Sequence, residues 1–319
     1  MAHELEMVNG EAQMAYVGEK PWHGLGVEVP ENTSASDMMA LAGLDWQVKE
    51  VDTFIEWEGQ KVVTNKKALV RDIDGHILTH IGENWKPVQN SEAFDFFHDF
   101  VEAGDMHMNT AGSLKDGRII WALAKVNESF ELFGGKDHVD SYLLFSNPHE
   151  YGKCIDIRFT PIRVVCNNTL TLSLGSATKN AVRINHRREF DADEVKQTMG
   201  IASSKMSKYK EMAEHLTQFR YNDTTLDEYL MTMFGTKTSK KGETEPQLTR
   251  TGNHVKELMD TQPGAEFGEG TWWQVYNAAT YYYDHLAGRS ADTRLDSAWF
   301  GANQKNKVKA LEKALEFAV

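Results

Sequence analysis

Cysteine is scarce in this chain of 319 residues: Cys154 and Cys166 are the two present, with no Cys-x-x-Cys pair. A disulfide framework and a multi-cysteine zinc site are therefore excluded, and reduced, partly buried thiols are expected. With 7 Pro and 24 Gly the composition is neither collagen-like nor that of a disordered tail, and 41% apolar residues suit one large or two modest globular domains. No apolar run approaches the roughly 18 to 20 residues that cross a bilayer. The opening Met1-Ala2-His3-Glu4-Leu5-Glu6 lacks the basic start and apolar stretch of a secretion signal. A cytoplasmic protein without a membrane partner is expected.

Positive charge is also short. Against 47 Asp and Glu stand 34 Lys and Arg, giving a formal charge of −13. A uniformly basic nucleic-acid coat is excluded, so any polyanion site must be a local patch. The signature loops are missing too: no Gly-x-x-x-x-Gly-Lys-Ser/Thr, no Gly-x-Gly-x-x-Gly after a strand, no Gly-x-Ser-x-Gly and no His-Glu-x-x-His. Nucleotide hydrolysis, dinucleotide chemistry and zinc proteolysis lose their usual support. The sequence predicts a protein that is not an enzyme and takes no cofactor.

What is present reads as α+β. Thr33-Ser34-Ala35-Ser36 opens a capped helix that runs to Gly43, after which the period changes to two. Segments 47–57, 61–71 and 76–81 are separated by Glu58-Gly59 and Asp74-Gly75, which predict three antiparallel strands. Asn90-Ser91 then opens a helix with Phe94, Phe97 and Val101 on one face and Glu92, Asp95, Asp99 and Glu102 on the other, stopping at Gly104. Further strands are expected over 106–110, 118–126, 139–145, 153–160 and 182–185; Thr160-Pro161 suits an N-cap followed by a first helical residue, and 162–174 mixes both periods and stays undecided. From Asp191 the pattern is helical, over 191–220, 226–234, 254–260, 272–286 and 304–317. This divides the chain into a sheet-rich domain, 1–190, and a helical region, 191–319, with an exposed loop at 235–249 poor in apolar residues.

Charge resolved along the chain is more informative than its total. Between Lys153 and Arg188 lie Lys153, Arg158, Arg163, Lys179, Arg183, Arg187 and Arg188, opposed by Asp156 alone; the window carries +6 and the remainder −19. Arginine binds phosphate with a planar fork and stacks on bases, and Tyr151, Phe159 and Phe190 lie within or beside the window. The competing reading is that these arginines pair with acids elsewhere. Arg163-Val164-Val165-Cys166-Asn167-Asn168-Thr169 adds polar groups inside an apolar run, which suits a capped turn or a buried polar network as well as a binding element. His76 and His80 with Asp72 and Asp74 have no distant further ligand, so no metal site is assigned. Between Trp272 and Tyr283 six aromatics occur in twelve positions, either a helix buried on most sides or one that meets a partner. In the last helix Val308, Leu311, Leu315 and Ala318 form the docking stripe, with Lys305, Lys307, Lys309 and Lys313 largely outside it.

Pro21-Trp22-His23-Gly24-Leu25-Gly26 after Met1-Ala2-His3, Arg163 to Leu170, the Trp272 to His285 aromatic segment, and Phe300-Gly301 before Lys307 and Ala310-Leu311 occur in one order along the chain. Together they resemble the phage/plasmid-like protein family, a domain-of-unknown-function group. The resemblance implies a mobile-element gene, in replication, recombination or defence against the host, and carries over no catalytic residue. The β-β-β-α unit beside a basic window also looks like the core of single-strand-annealing recombinases, an analogy of fold alone.

The expected function is non-enzymatic binding of nucleic acid, single-stranded DNA foremost, by a homo-oligomer. Lys153, Arg158, Arg163, Lys179, Arg183, Arg187 and Arg188 would hold phosphates, with stacking on Tyr151 and Phe159. The alternative is an anti-defence factor that sequesters a host protein through the aromatic helix and acidic surface.

Overall fold

The computed structural model describes residues 5–18, 21, 24–163, 168–169, 181–191, 193, 203–237, 246–288, 290 and 293–319, with the backbone alone at 163, 168–169, 181 and 203–206. The fold is α+β, with antiparallel sheet in the N-terminal half and helices in the C-terminal half. Two compact units interleave along the chain: Met1–Asn127 with Tyr142–Phe159 and Ala181–Gly200, and Glu128–Ser141 with Thr160–Asn180 and Ile201–Val319.

In the first unit the expected β-β-β-α arrangement is present. Strands Val48–Trp57, Gln60–Arg71 and Ile77–Gly82 form an antiparallel meander, followed by the helix Asn90–Glu102. The cap of that helix is Gln89 rather than Asn90: Glu92 Oε2 accepts from the Gln89 backbone N–H at 2.6 Å, closing a capping box. Ser34 caps the helix Ala35–Leu41, its Oγ accepting from the Asp37 N–H at 3.1 Å. A second sheet places Cys154–Arg163, Asp137–Pro148, Ile119–Leu132, Met106–Leu114, Met14–Val17 and Val27–Val29 in that neighbour order. Each of its three longest strands passes from one unit to the other along the chain. Residues 162–163, left undecided by periodicity, continue the strand from Cys154, and Pro161 lies inside that strand rather than opening a helix, because pairing in the sheet outweighs its local preference for a first helical turn. Cys154 is exposed rather than partly buried, because it follows directly on the surface turn at Tyr151 and Gly152. The short strands Met14–Val17 and Val27–Val29 carry too few residues for a period to be read, and were not expected.

The core of this unit packs Phe94, Phe96 and Phe97 of the long helix against Phe145, Ile155, Ile157 and Ile184 of the sheet, with Trp46 and Trp85 at its margin. Period-two burial explains the sheet side: Ile155 and Ile157 point inward while Asp156 and Arg158 share the other face.

A buried arginine ties the meander to the rest of this unit. Arg71, at the end of the second strand, donates from Nε and Nη2 to Asp74 at 3.0 and 2.6 Å and from Nη1 to Glu6. Its guanidinium lies 5.3 Å from the Trp46 ring centroid, and Glu6 Oε2 accepts from Ser113 Oγ at 2.7 Å. The hydrogen bond from Arg71 holds the Asp74 carboxyl at about 2, well below its ordinary value.

In the second unit the aromatic helix Trp272–Tyr281 is central. Trp272, Trp273 and Tyr276 are buried, and Trp273 Nε1 donates to Asp137 Oδ2 at 2.8 Å. Its chain continues as a π-helical turn, Tyr282–Leu286, which the helical period alone could not separate. The aromatic segment is thus the buried helix of the two readings. Around it stand the helices Ser203–Gln218, Asp223–Phe234, Arg250–Thr261, Arg294–Trp299 and Ala302–Phe317. Within segment 235–249, Thr236–Lys237 pairs with Gln247–Leu248. Lys307 corrects the expectation for the last helix: it lies on the buried face with Asn303, Ala310, Leu311 and Ala314, and its Nζ meets Asp284 Oδ1 at 2.6 Å. Burial of a lysine is sustained there by that carboxylate, a partner its own helix does not disclose.

Arg71→Met leaves the buried Glu6 carboxylate without its cation, and a loss of about 3 to 5 kcal/mol in urea denaturation is expected. A loss below about 1 kcal/mol would show that the network is dispensable.

Candidate nucleic-acid interface

Strand Ala181–Asn185 pairs antiparallel with Cys154–Arg163, setting Asp156 opposite Arg183 and Cys154 opposite Asn185. Cross-strand neighbours on one face lie within reach of each other, so the single acid of the basic window meets two of its arginines. Arg158 donates to both Asp156 oxygens at 2.5 Å, and Arg183 Nε donates to Oδ2 at 2.9 Å. Arg158 is buried by this arrangement, and Phe159 packs partly buried on the core, so neither presents an exposed side chain. Arg183 keeps 65% of its side chain exposed. Lys179 and the Arg163 side chain lie outside the described residues.

The remaining predicted residues gather at one end of the ladder. Tyr151, Gly152 and Lys153 lead into Cys154, and because Cys154 pairs with Asn185, the turn that carries Arg187 and Arg188 leaves from the same end. Tyr151, Lys153, Arg187 and Arg188 are all exposed. Lys66 from the meander places Nζ 5.5 Å from the Tyr151 ring centroid, and the Tyr151 N–H donates to Thr79 Oγ1 at 3.3 Å. Lys86 joins through its backbone N–H, which donates to the His186 carbonyl at 2.6 Å, while its ammonium pairs with Glu189 at 2.7 Å. Sequence reasoning missed Lys66 and Lys86. Only their pairing partners bring them here, and the sole local signal was the hairpin that fixes the height of Lys66.

Behind these turns lies a buried polar row that was also missed. Alternate residues of the segment 86–90 accept three side-chain hydrogen bonds: the Lys86 carbonyl from His186 Nδ1 at 3.0 Å, the Val88 carbonyl from Asn147 Nδ2 at 2.8 Å, and Asn90 Oδ1 from His149 Nε2 at 2.8 Å. Asn90 Nδ2 donates to the Leu44 carbonyl at 2.9 Å, which fixes its oxygen as the acceptor and makes Nε2 the protonated nitrogen of His149. His186 must likewise carry its proton on Nδ1. The second nitrogens, His149 Nδ1 and His186 Nε2, are buried without a hydrogen-bond partner, as are Asn147 Oδ1 and Glu150 Oε2, and burial favours the neutral form of both rings. Trp85 stacks on His186 at 4.1 Å and Trp46 lies 5.4 Å from His149. Burial, assisted by the nearby His186, pushes His149 down to about 3; burial also lowers His186, opposed by the Lys86 and Pro148 carbonyls.

Of the residues set aside for a metal, Asp74 is committed to Arg71 and Asp72 accepts from the Gln47 N–H at 2.9 Å. Among the described residues no three His, Cys, Asp or Glu side chains are placed to hold a metal ion.

The histidine row sets a pH dependence. Above the ordinary histidine value both rings are neutral folded or unfolded; below it the unfolded chain binds protons that the folded chain refuses, so stability falls as pH drops from roughly 6.5, for His149 toward about 3, with His186 contributing in the same direction. For each histidine the slope reaches at most about 1.4 kcal/mol per pH unit. Urea midpoints between pH 7 and 4 should fall less steeply for His149→Gln than for the native chain, and equal slopes would contradict the assignment.

The sequence model of a domain of unknown function, DUF932, matches residues 77–299. That span takes in the third strand of the meander, the long helix, the Tyr151 turn, the basic ladder and the aromatic helix. No curated protein and no solved structure matches the chain. With well over half its length covered, the chain belongs to the DUF932 family of domains of unknown function.

Proposed function

We propose that the protein binds single-stranded nucleic acid, DNA foremost, without chemistry of its own, as a homo-oligomer encoded by a phage or plasmid and acting in the cytoplasm of its host during recombination or replication. One observation carries the reading: Tyr151 is exposed and capped by Lys66, with Lys153, Arg187 and Arg188 exposed on the turns around it. A base stacks on an exposed aromatic face while neighbouring cations hold the backbone, an arrangement that tolerates any sequence. The roles differ from those expected of the basic window as a whole. Asp156 neutralises much of Arg158 and Arg183, so the exposed side chains of Lys153, Arg187 and Arg188 carry the phosphate contacts, with Lys66 added. Lys86 joins only by exchanging Glu189 for a phosphate. The acidic remainder of the chain keeps polyanions from binding elsewhere.

Anisotropy titration of a labelled oligonucleotide at low salt tests the reading. Tyr151→Ala should cost about 1 to 3 kcal/mol of affinity through lost stacking. The double change Arg187→Ala and Arg188→Ala should weaken binding to all sequences alike and reduce the slope of log K against log salt by roughly 1.4. Exposed Lys309→Ala on the second unit serves as the neutral comparison. Absence of binding by the native chain, or a Lys309 variant as weak as the double variant, would overturn it.

A further inference from the structure

Strand Val48–Trp57 is the first of the meander and forms one of its two edges, with no further strand paired to it among the described residues. Its outward-facing backbone groups can be assigned from both ends. At the tip, Glu58 and Gly59 adopt φ of 51° and 74°, the paired left-handed values of a two-residue type I′ hairpin, so Trp57 and Gln60 form the closing hydrogen-bonded pair. Alternation then turns the N–H and C=O of Phe54 and Glu56 away from the neighbouring strand. At the base, Val48 N–H donates to Gln89 Oε1 at 2.9 Å and the Val48 carbonyl accepts from Gln89 Nε2 at 3.1 Å, so this residue also faces outward. Glu50 and Asp52 follow by the same alternation. Gln89 closes the edge at Val48; among the described residues nothing bonds the backbone groups of Glu50, Asp52, Phe54 and Glu56.

The side chains along this edge are patterned. Val51, Ile55 and Trp57 fall on one face and are 48, 55 and 65% exposed, continued across the strand pair by Val62. Glu50, Asp52, Phe54 and Glu56 fall on the other. Lys67 serves Glu50 at 2.8 Å, whereas Asp52 and Glu56 have no ion pair of their own among the described residues. The third strand reaches only to Lys66, so among the described residues the tip is a two-stranded ribbon, a form that is marginal in water unless another strand covers it.

A second copy of the same strand does not fit. Antiparallel edge pairing sets outward residue against outward residue, so the long registers oppose Glu50 to Glu56, Asp52 to Asp52, or Asp52 to Glu56, and like charges directly opposite repel. We propose that the free edge Glu50–Glu56 is a strand-addition site for an extended segment of another protein in which basic residues alternate with apolar ones. The backbone ladder supplies the attachment. Its basic residues lie beside Asp52 and Glu56, and its apolar residues extend the Val51, Ile55 and Trp57 face. This surface is separate from the Tyr151 turn and does not depend on the nucleic-acid reading.

The probe is a labelled synthetic peptide of alternating Lys and Val, compared with one of the same composition in two blocks. The full chain should bind the alternating peptide more tightly and show slowed amide exchange at Glu50, Asp52, Phe54 and Glu56. Phe54→Pro removes one outward N–H without touching the existing ladder and should abolish both effects. Should that variant fail to fold, the double reversal Asp52→Lys and Glu56→Lys should weaken binding about tenfold, from two opposed charge pairs made repulsive. Equal affinity for the two peptides, unchanged exchange along the edge, self-association of the free chain that Phe54→Pro removes, or full competition by an oligonucleotide would each overturn the proposal.

Discussion

A guanidinium cannot be buried alone, and the architecture of the first unit follows from the partners that Arg71 requires. Taking such a charge out of water costs several kcal/mol, so it is tolerated only where carboxylates and a ring face replace the lost solvent. Arg71 finds them in Glu6 from the N-terminal segment, Asp74 from the turn after its own strand, and the face of Trp46. Three separate parts of the chain are thereby fixed to the end of one strand. The meander's register is pinned from that end, and the register in turn sets the position of Lys66 opposite Gly82, the height from which it reaches Tyr151.

The same rule, that a buried charge must be matched, decides which basic residues remain available. Asp156 draws Arg158 inside and holds Arg183 at the boundary; Asp284 draws Lys307 inside. Around Tyr151 the cations stay exposed: Lys153, Arg187 and Arg188 lie on surface turns, and Lys86 meets Glu189 there. The polar row behind them works by geometry instead of charge. Lys86, Val88 and Asn90 accept one hydrogen bond each from His186, Asn147 and His149, and this spacing matches the two-residue repeat of extended backbone. Neutral imidazoles held this way link the turn of Tyr151 and the turn of Arg187 to one segment, so the two halves of the candidate interface share a common support.

Much of the fold was legible because it depends on local patterns. Glu58-Gly59 between alternating segments identified the hairpin, Ser34 the start of the first helix, and Phe94 and Phe97 the inner face of the second. Legibility failed where local rules were silent or divided. Residues 162–163 follow Pro161 in a segment that carries both periods, and only the strand from Cys154 that they extend decides their conformation. Lys307 was placed outside the docking stripe because hydropathy treats lysine as a surface residue, whereas its position is set by Asp284 on another element.

By itself, then, the sequence determined the fold class, the first hairpin, the start of the first helix and the segregation of positive charge into one short window, since each of these follows from composition, capping and turn residues and periods of two or 3.6 residues. Only the tertiary structure decided which cations of that window remain exposed, that Lys66 and Lys86 join them, and that His149 and His186 are buried as neutral rings. Those outcomes depend on strand register and on pairs far apart in the chain. A single sequence gives no measure of such contacts, because a pattern of apolar residues fixes which face of an element is inside but not which element lies opposite.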